Sequence, residues 1–208
     1  MKFFINFKTY RQGSGKKALR LLKKIEKANG KIIACLQTGD IHLSKKTKAE
    51  VWAQHADPIN YGGNTGWILP ENLKENGAKG VLINHSEHKT KDIGAIARRC
   101  KELKLKTMIL APNAKEVLRA KKYRPDYIGI EPPDLIGSKT KSVASRPKLI
   151  TEAVKNAGRT PLVIGAGIKD KKDILAGKKL GAKGVLIASA VTTAKNPLKI
   201  LKELTDNN

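Results

Sequence analysis

The sequence predicts an α/β protein, a closed barrel of eight strand–helix units, (β/α)8, in a compact version with some shortened helices. Short apolar runs recur along the chain with helical patterns between most of them. The runs are continuous rather than alternating, as strands are when a parallel sheet is covered on both faces. Eight such units favour closure over an open doubly wound sheet. An open sheet would more often place a Gly-x-Gly-x-x-Gly turn directly after its first strand, and here Gly13-x-Gly15 stands well beyond it.

The elements follow in order. Residues 3–6 form a first strand. Residues 16–28 form a helix with Ala18, Leu21, Leu22 and Ile25 at helical spacing, closed by Asn29-Gly30, residues that tolerate left-handed backbone. Residues 31–35 and 51–54 are the second and third strands, joined by a Lys-rich connection with one weak helical turn at 42–48. Leu69-Pro70 opens a helix running to residue 76, with proline in its first turn, and Gly77 stops it. The fourth strand, 80–84, precedes a helix at 92–103. The fifth, 106–111, precedes a short helix at 114–120. The sixth, 127–130, leads through a long loop to a helix at 148–156. The seventh, 162–164, and eighth, 184–188, precede helices at 169–179 and 197–204.

At 208 residues the chain suits one domain spanning residues 1–208. No run is long and uncharged enough to cross a bilayer. The N-terminus reads as a strand without a signal-peptide pattern, so a soluble cytoplasmic protein is expected. Cys35 and Cys100 stand outside any Cys/His cluster, so neither a zinc site nor a disulfide is expected. The net charge is +24, from 42 Lys and Arg against 18 Asp and Glu. Such a balance usually suggests nucleic acid or an anionic surface. The lysines are spread along the chain, however, and aromatics at 4% are too few for much of a stacking platform. No specific nucleic-acid or membrane partner is therefore expected.

Several strings that carry chemistry follow directly after strand-like runs. They are Asn6-Phe7-Lys8, Asn84-His85-Ser86-Glu87, Glu131-Pro132-Pro133 and Gly165-Ala166-Gly167. Strand C-termini are where a parallel barrel gathers its catalytic groups. Glu131 is either a base at the barrel mouth or a surface residue opening a loop. His85 is either a catalytic imidazole or a structural one, and Ser86-Glu87 can cap a following helical turn. Lys8 shares a face with Asn6; in the lumen it needs an anion, either Glu87 or a substrate. Gly165-Ala166-Gly167 and Ala188-Ser189, on adjacent strands, let backbone N–H groups approach a phosphate.

Taken together, these strings resemble the triosephosphate isomerase family in its short archaeal-type form, whose fold is the TIM barrel. Further matching segments are Gln54-His55-Ala56-Asp57-Pro58, Thr65-Gly66-Trp67-Ile68-Leu69-Pro70-Glu71, Glu131-Pro132-Pro133-Asp134-Leu135-Ile136-Gly137 and Leu186-Ile187-Ala188-Ser189. Their joint order and spacing cover nearly the whole chain. The resemblance implies interconversion of dihydroxyacetone phosphate and D-glyceraldehyde 3-phosphate through an enediolate. It implies Glu131 as the base, His85 as the electrophile and Lys8 as the cation beside the substrate. Asn6, Lys8, Ile136, Gly167, Ala188 and Ser189 would contact substrate. It further implies no metal or cofactor, a homotetramer or a dimer, and a lid at residues 132–145. The alternatives are another phosphate-binding barrel enzyme acting on a larger sugar phosphate, or a non-enzymatic basic nucleic-acid binder.

The chain departs from the family pattern at Ser138-Lys139-Thr140-Lys141, where Lys139 replaces a glycine. A hinge that needs glycine dihedrals would be strained there. Lys139 and Lys141 could instead reach the phosphate.

Overall fold

The computed structural model describes residues 1–28, 31–138 and 140–206. Parallel strands close into a barrel in chain order. They are β1 (Lys2–Asn6), β2 (Lys31–Leu36), β3 (Glu50–Ala53) and β4 (Gly80–Ile83), then β5 (Lys106–Ala111), β6 (Tyr127–Ile130), β7 (Leu162–Ile164) and β8 (Gly184–Ile187). β1 closes the ring on β8 with Lys2 opposite Gly184 and Ile5 opposite Ile187. The expected fold class is the observed one. The helices are α1 (Lys16–Ile25), α2 (Pro70–Glu75), α3 (Ile93–Glu102) and α4 (Ala114–Lys121), then α5 (Pro147–Ala157), α6 (Lys171–Lys179), α7 (Ser189–Thr192) and α8 (Pro197–Thr205).

Continuous apolar runs make sense once both faces of the sheet are seen to be buried. Phe4, Ile33, Cys35, Trp52, Leu82, Met108, Leu110, Val163 and Leu186 form one cluster, inside the barrel. Their strand neighbours, such as Phe3 and Ile5, pack outward with the helices in a second cluster. Phe4 meets Trp52 and Tyr127 edge-on, each at 5.2 Å between ring centroids, a favoured aromatic geometry. Gly80 is small because a Cβ there would overlap the Trp52 indole. Cys35 and Cys100 are both buried and free. Burial pushes the Cys35 thiol far up and the Cys100 thiol up to about 12, so both are inert core residues.

Several expectations need correction. α1 ends at Ile25 and residues 26–28 continue as a turn; the Asn29-Gly30 cap lies outside the described residues. The connection to β3 is a longer 3-10 stretch, Thr38–Lys46. Glu26 ties it to the end of α1, accepting from the Thr47 hydroxyl at 2.7 Å and the Lys48 N–H at 2.8 Å. Those bonds hold the Glu26 carboxyl down at about 2. Ser86-Glu87 caps no helix: α3 starts at Ile93 under Asp92, whose side chain accepts from the Ala95 N–H at 2.8 Å. α7 was not expected, since four residues are too short to show a helical period.

One turn is used three times to enter the sheet. The N–H of Ala78 reaches the Leu73 carbonyl, that of Leu105 the Cys100 carbonyl, and that of Ala182 the Gly177 carbonyl, at 2.9, 2.8 and 3.0 Å. This is the six-to-one bond of a helix-ending Schellman turn. Each turn needs a left-handed residue, filled by Gly77 (φ 97°), Lys104 (φ 57°) and Gly181 (φ 101°). The lysine is the exception, and it sits on the barrel end opposite the site described next.

Candidate active site

Lys8 leaves β1 in a left-handed conformation, φ 44°. The Asn6 side chain stabilises that bend by accepting the Lys8 N–H at 3.0 Å. Gln54 holds the same segment from β3, donating to the carbonyls of Lys8 and Cys35 at 3.3 and 3.0 Å. The ammonium group then meets Glu87 at 2.6 Å, one of the two anions the sequence offered it.

His85 follows β4 through Asn84, also left-handed at φ 64°. Asn84 clamps its loop from both sides. Its amide donates to the Leu110 carbonyl at 3.1 Å, its N–H donates to the Thr90 hydroxyl at 3.0 Å, and its oxygen accepts the Thr90 N–H at 3.3 Å. The Glu87 N–H donates to His85 Nδ1 at 3.2 Å. An accepting Nδ1 places the proton of a neutral ring on Nε2.

Glu131 leaves β6, its N–H bound to the Ala111 carbonyl at 3.0 Å. The side chain is only 7% exposed. Gly165 makes its room, since a Cβ there would lie 2.5 Å from Glu131 Oε1. His85 Nε2 stands 3.1 Å from Glu131 Oε2, yet the two are out of hydrogen-bond alignment, and Oε2 is a buried oxygen without a hydrogen-bond partner among the described residues. Such a carboxylate oxygen is costly to bury. The residue as a whole lines the second of the cavities described next.

Two cavities meet over Asn6, Lys8 and Tyr10. The first, about 580 Å³, adds His85, Glu87, Gln54, His55 and His88. The second, about 460 Å³, adds Glu131, Ile136, Gly137, Ser138, Gly167, Lys169, Ala188 and Ser189. Asn6, Lys8, His85, Glu131, Ile136, Gly167, Ala188 and Ser189 therefore each line one cavity or both, whereas Asn84, Ser86 and Gly165 line neither. Tyr10 and Gln54 lie in segments that match the family but were given no role, and Lys169 was not singled out, since nothing in its local sequence sets it apart from other surface lysines. His55 and His88 stack at 4.0 Å between ring centroids. Burial lowers the His55 pKa, against the Asp57 carboxylate that raises it.

The segment above the second cavity is anchored at several points. Val143 N–H binds the Ala166 carbonyl at 3.1 Å and the Ser142 hydroxyl binds Asp173 at 2.5 Å. Lys169 Nζ holds the Thr140 carbonyl at 2.9 Å. Arg146 pairs with Asp134 across the base of the segment and holds that carboxyl below its usual range. Gly167, at φ 69°, is required here because a Cβ would overlap the Lys141 carbonyl. Lys139 lies outside the described residues. Lys141 is exposed and is not among the residues lining the second cavity, whereas Lys169 is.

Comparison with known proteins agrees with this geometry. The family model described as triosephosphate isomerase matches residues 1–204. The chain is similar to the triosephosphate isomerase of Methanothermus fervidus, 39% identical over 96% of this chain and 95% of that one. It is 38% identical to that of Saccharolobus solfataricus, over 96% and 92% of the two chains. It is also 38% identical to that of Methanocaldococcus jannaschii, over 98% of each.

Proposed function

We propose that Glu131, His85 and Lys8 carry out the reaction of the triosephosphate isomerase family, to which this chain belongs. That reaction interconverts dihydroxyacetone phosphate and D-glyceraldehyde 3-phosphate, an aldose–ketose isomerisation within one molecule. In our reading, Glu131 takes a proton from the carbon beside the carbonyl and returns it to the neighbouring carbon. The His85 Nε2–H donates to the substrate oxygens as charge develops on them, and the ring passes the hydroxyl proton from one oxygen to the other, so that the old hydroxyl becomes the new carbonyl. Lys8, held by Asn6 and released from Glu87, neutralises the enediolate. Ile136, Gly167, Ala188 and Ser189 enclose the phosphate end. The anchored segment 132–145 excludes water, which would otherwise let the intermediate lose its phosphate. No metal or cofactor enters the scheme.

The observation that supports this most is the meeting of His85 Nε2 and the partnerless Glu131 Oε2, from β4 and β6, at 3.1 Å. Steady-state kinetics on purified protein test it. Glu131→Gln should lower kcat by about a thousandfold or more with little change in KM, as removal of a proton-transfer group does. An unchanged rate would reject the assignment.

We further propose that residues 1–208 act as one barrel domain in the cytoplasm, within glycolysis and gluconeogenesis. We also propose a homo-oligomer, a tetramer with a dimer as the smaller alternative. Exposed Tyr61 (68%) and Trp67 (53%) on the loop after β3, and Leu118 (49%) on α4, support association.

A further inference from the structure

The isomerase site leaves the opposite end of the barrel, where strands begin and helices end, without a use. Lysines crowd that rim. Lys2 opens β1 directly beside Lys31 of β2, and the Lys183 carbonyl accepts the Lys2 N–H at 3.0 Å. Lys79, ahead of β4, and Lys106, opening β5, are joined the same way, also at 3.0 Å. Like charges side by side on neighbouring strands cost stability. Lysines in the last turns of helices offset the helix dipoles, but these strand-entry lysines are not in those turns.

Around the entries of β3, β4 and β5 the rim opens into a cleft of about 570 Å³, lined by Lys45, Lys48, Lys79, Lys104 and Lys106. Its acid, Glu50, is already engaged by the Trp52 indole N–H at 2.8 Å and lies 3.8 Å from Lys106. A second cleft, about 260 Å³, shares Lys104 and Lys106 and adds Lys101 and Arg124. Its acid, Asp126, accepts the Thr107 N–H at 2.9 Å. These cations are all exposed, and apart from Lys106 none forms an ion pair with described residues. Lys104 lines both clefts and is the residue that takes the left-handed position its sibling turns give to glycine. Holding a lysine there strains the backbone, as an L side chain does in the left-handed region.

We propose that these joined clefts bind a linear chain of phosphates, a nucleic-acid backbone or inorganic polyphosphate, through charge alone. Lysines act as point charges rather than planar forks, and no aromatic ring lines either cleft to stack a base. A cleft with cations along its walls suits a polymer threaded through it better than a flat lipid surface. Cations distributed over two clefts that share Lys104 and Lys106 suit successive phosphates better than a single phosphate group.

Fluorescence anisotropy with a labelled oligoribonucleotide of about 20 nucleotides at about 0.15 M salt, the usual physiological value, tests the assignment. Two triple variants carry the same charge loss: Lys79→Gln/Lys104→Gln/Lys106→Gln in the groove, and Lys17→Gln/Lys115→Gln/Lys148→Gln on exposed first turns of α1, α4 and α5. Circular dichroism checks that both fold. The groove triple should weaken binding at least about tenfold and flatten the log–log salt dependence by about two units, at roughly 0.7 per lost phosphate contact. The control triple should change affinity by less than about threefold at the same salt. Unlabelled polyphosphate should displace the oligonucleotide. Equal losses in both triples, or no binding by the native chain, would overturn the site. Failure of polyphosphate to compete would overturn recognition by charge alone.

Discussion

At the scale of single residues, the site depends on side chains that fix backbone bends. Asn6 and Asn84 each use a side-chain oxygen to hold a loop whose key residue is left-handed. Lys8 and His85 are thereby aimed before any ligand arrives, which is the condition for electrostatic preorganisation. Glu131 is aimed differently, by the absence of a side chain at Gly165. Gly165→Ala should therefore displace the carboxylate, lowering kcat by about tenfold to a hundredfold, the scale of a 1 Å misplacement. Denaturant titration should show a much smaller proportional loss of stability. A fully active Gly165→Ala protein would mean the base has freedom that the packing denies it.

Much of this residue-scale picture was open to reading, and the reason is topology. A parallel barrel delivers strand C-termini to one mouth, so Lys8, His85 and Glu131 could be placed together from strand position alone. The need of a lumen cation for an anion left Lys8 two partners, Glu87 or a substrate, and the ion pair is with Glu87. The clamps by Gln54, Thr90 and Leu110 could not be read, because their partners are fixed by three-dimensional register rather than local pattern. Lys169 was invisible for a plainer reason: it is one lysine among many, and only its place on the wall of the second cavity distinguishes it.

At the scale of elements, strands were easier to read than helices. β5, β6 and β7 begin and end where their apolar runs do. Helix ends strayed, as at α1, because lysine and glutamate are equally at home in a last helical turn and in the turn after it. The thrice-used Schellman turn carries its own test. Lys104→Gly should raise unfolding free energy by about 1 kcal/mol, because glycine takes the left-handed region without the penalty an L side chain incurs. Chemical denaturation reads this directly. A destabilised variant would show that Lys104 makes a compensating contact worth more than the backbone strain.

At the scale of the whole molecule, the charge of +24 works against both folding and association. Ion pairs offset little of it: Lys199–Glu203 and Arg119–Glu116 are exposed helix pairs of small value. The melting temperature should therefore rise as sodium chloride goes from about 10 mM to about 150 mM, as the screening length shortens from about 30 to 8 Å. Sedimentation over the same range should shift toward the larger oligomer. A melting temperature independent of salt would mean that the positive charges are far enough apart to ignore one another.

The central claim is that one carboxylate, Glu131, carries the substrate proton between adjacent carbons while His85 and Lys8 stabilise the intermediate. Isomerisation of dihydroxyacetone phosphate in D2O, followed by NMR, tests it most directly. The account predicts deuterium at carbon 2 of the D-glyceraldehyde 3-phosphate formed, because a proton held on Glu131 can exchange with solvent before its return. It also predicts that Glu131→Gln nearly abolishes both conversion and label. Conversion that persists undiminished in Glu131→Gln, with or without label at carbon 2, would contradict it.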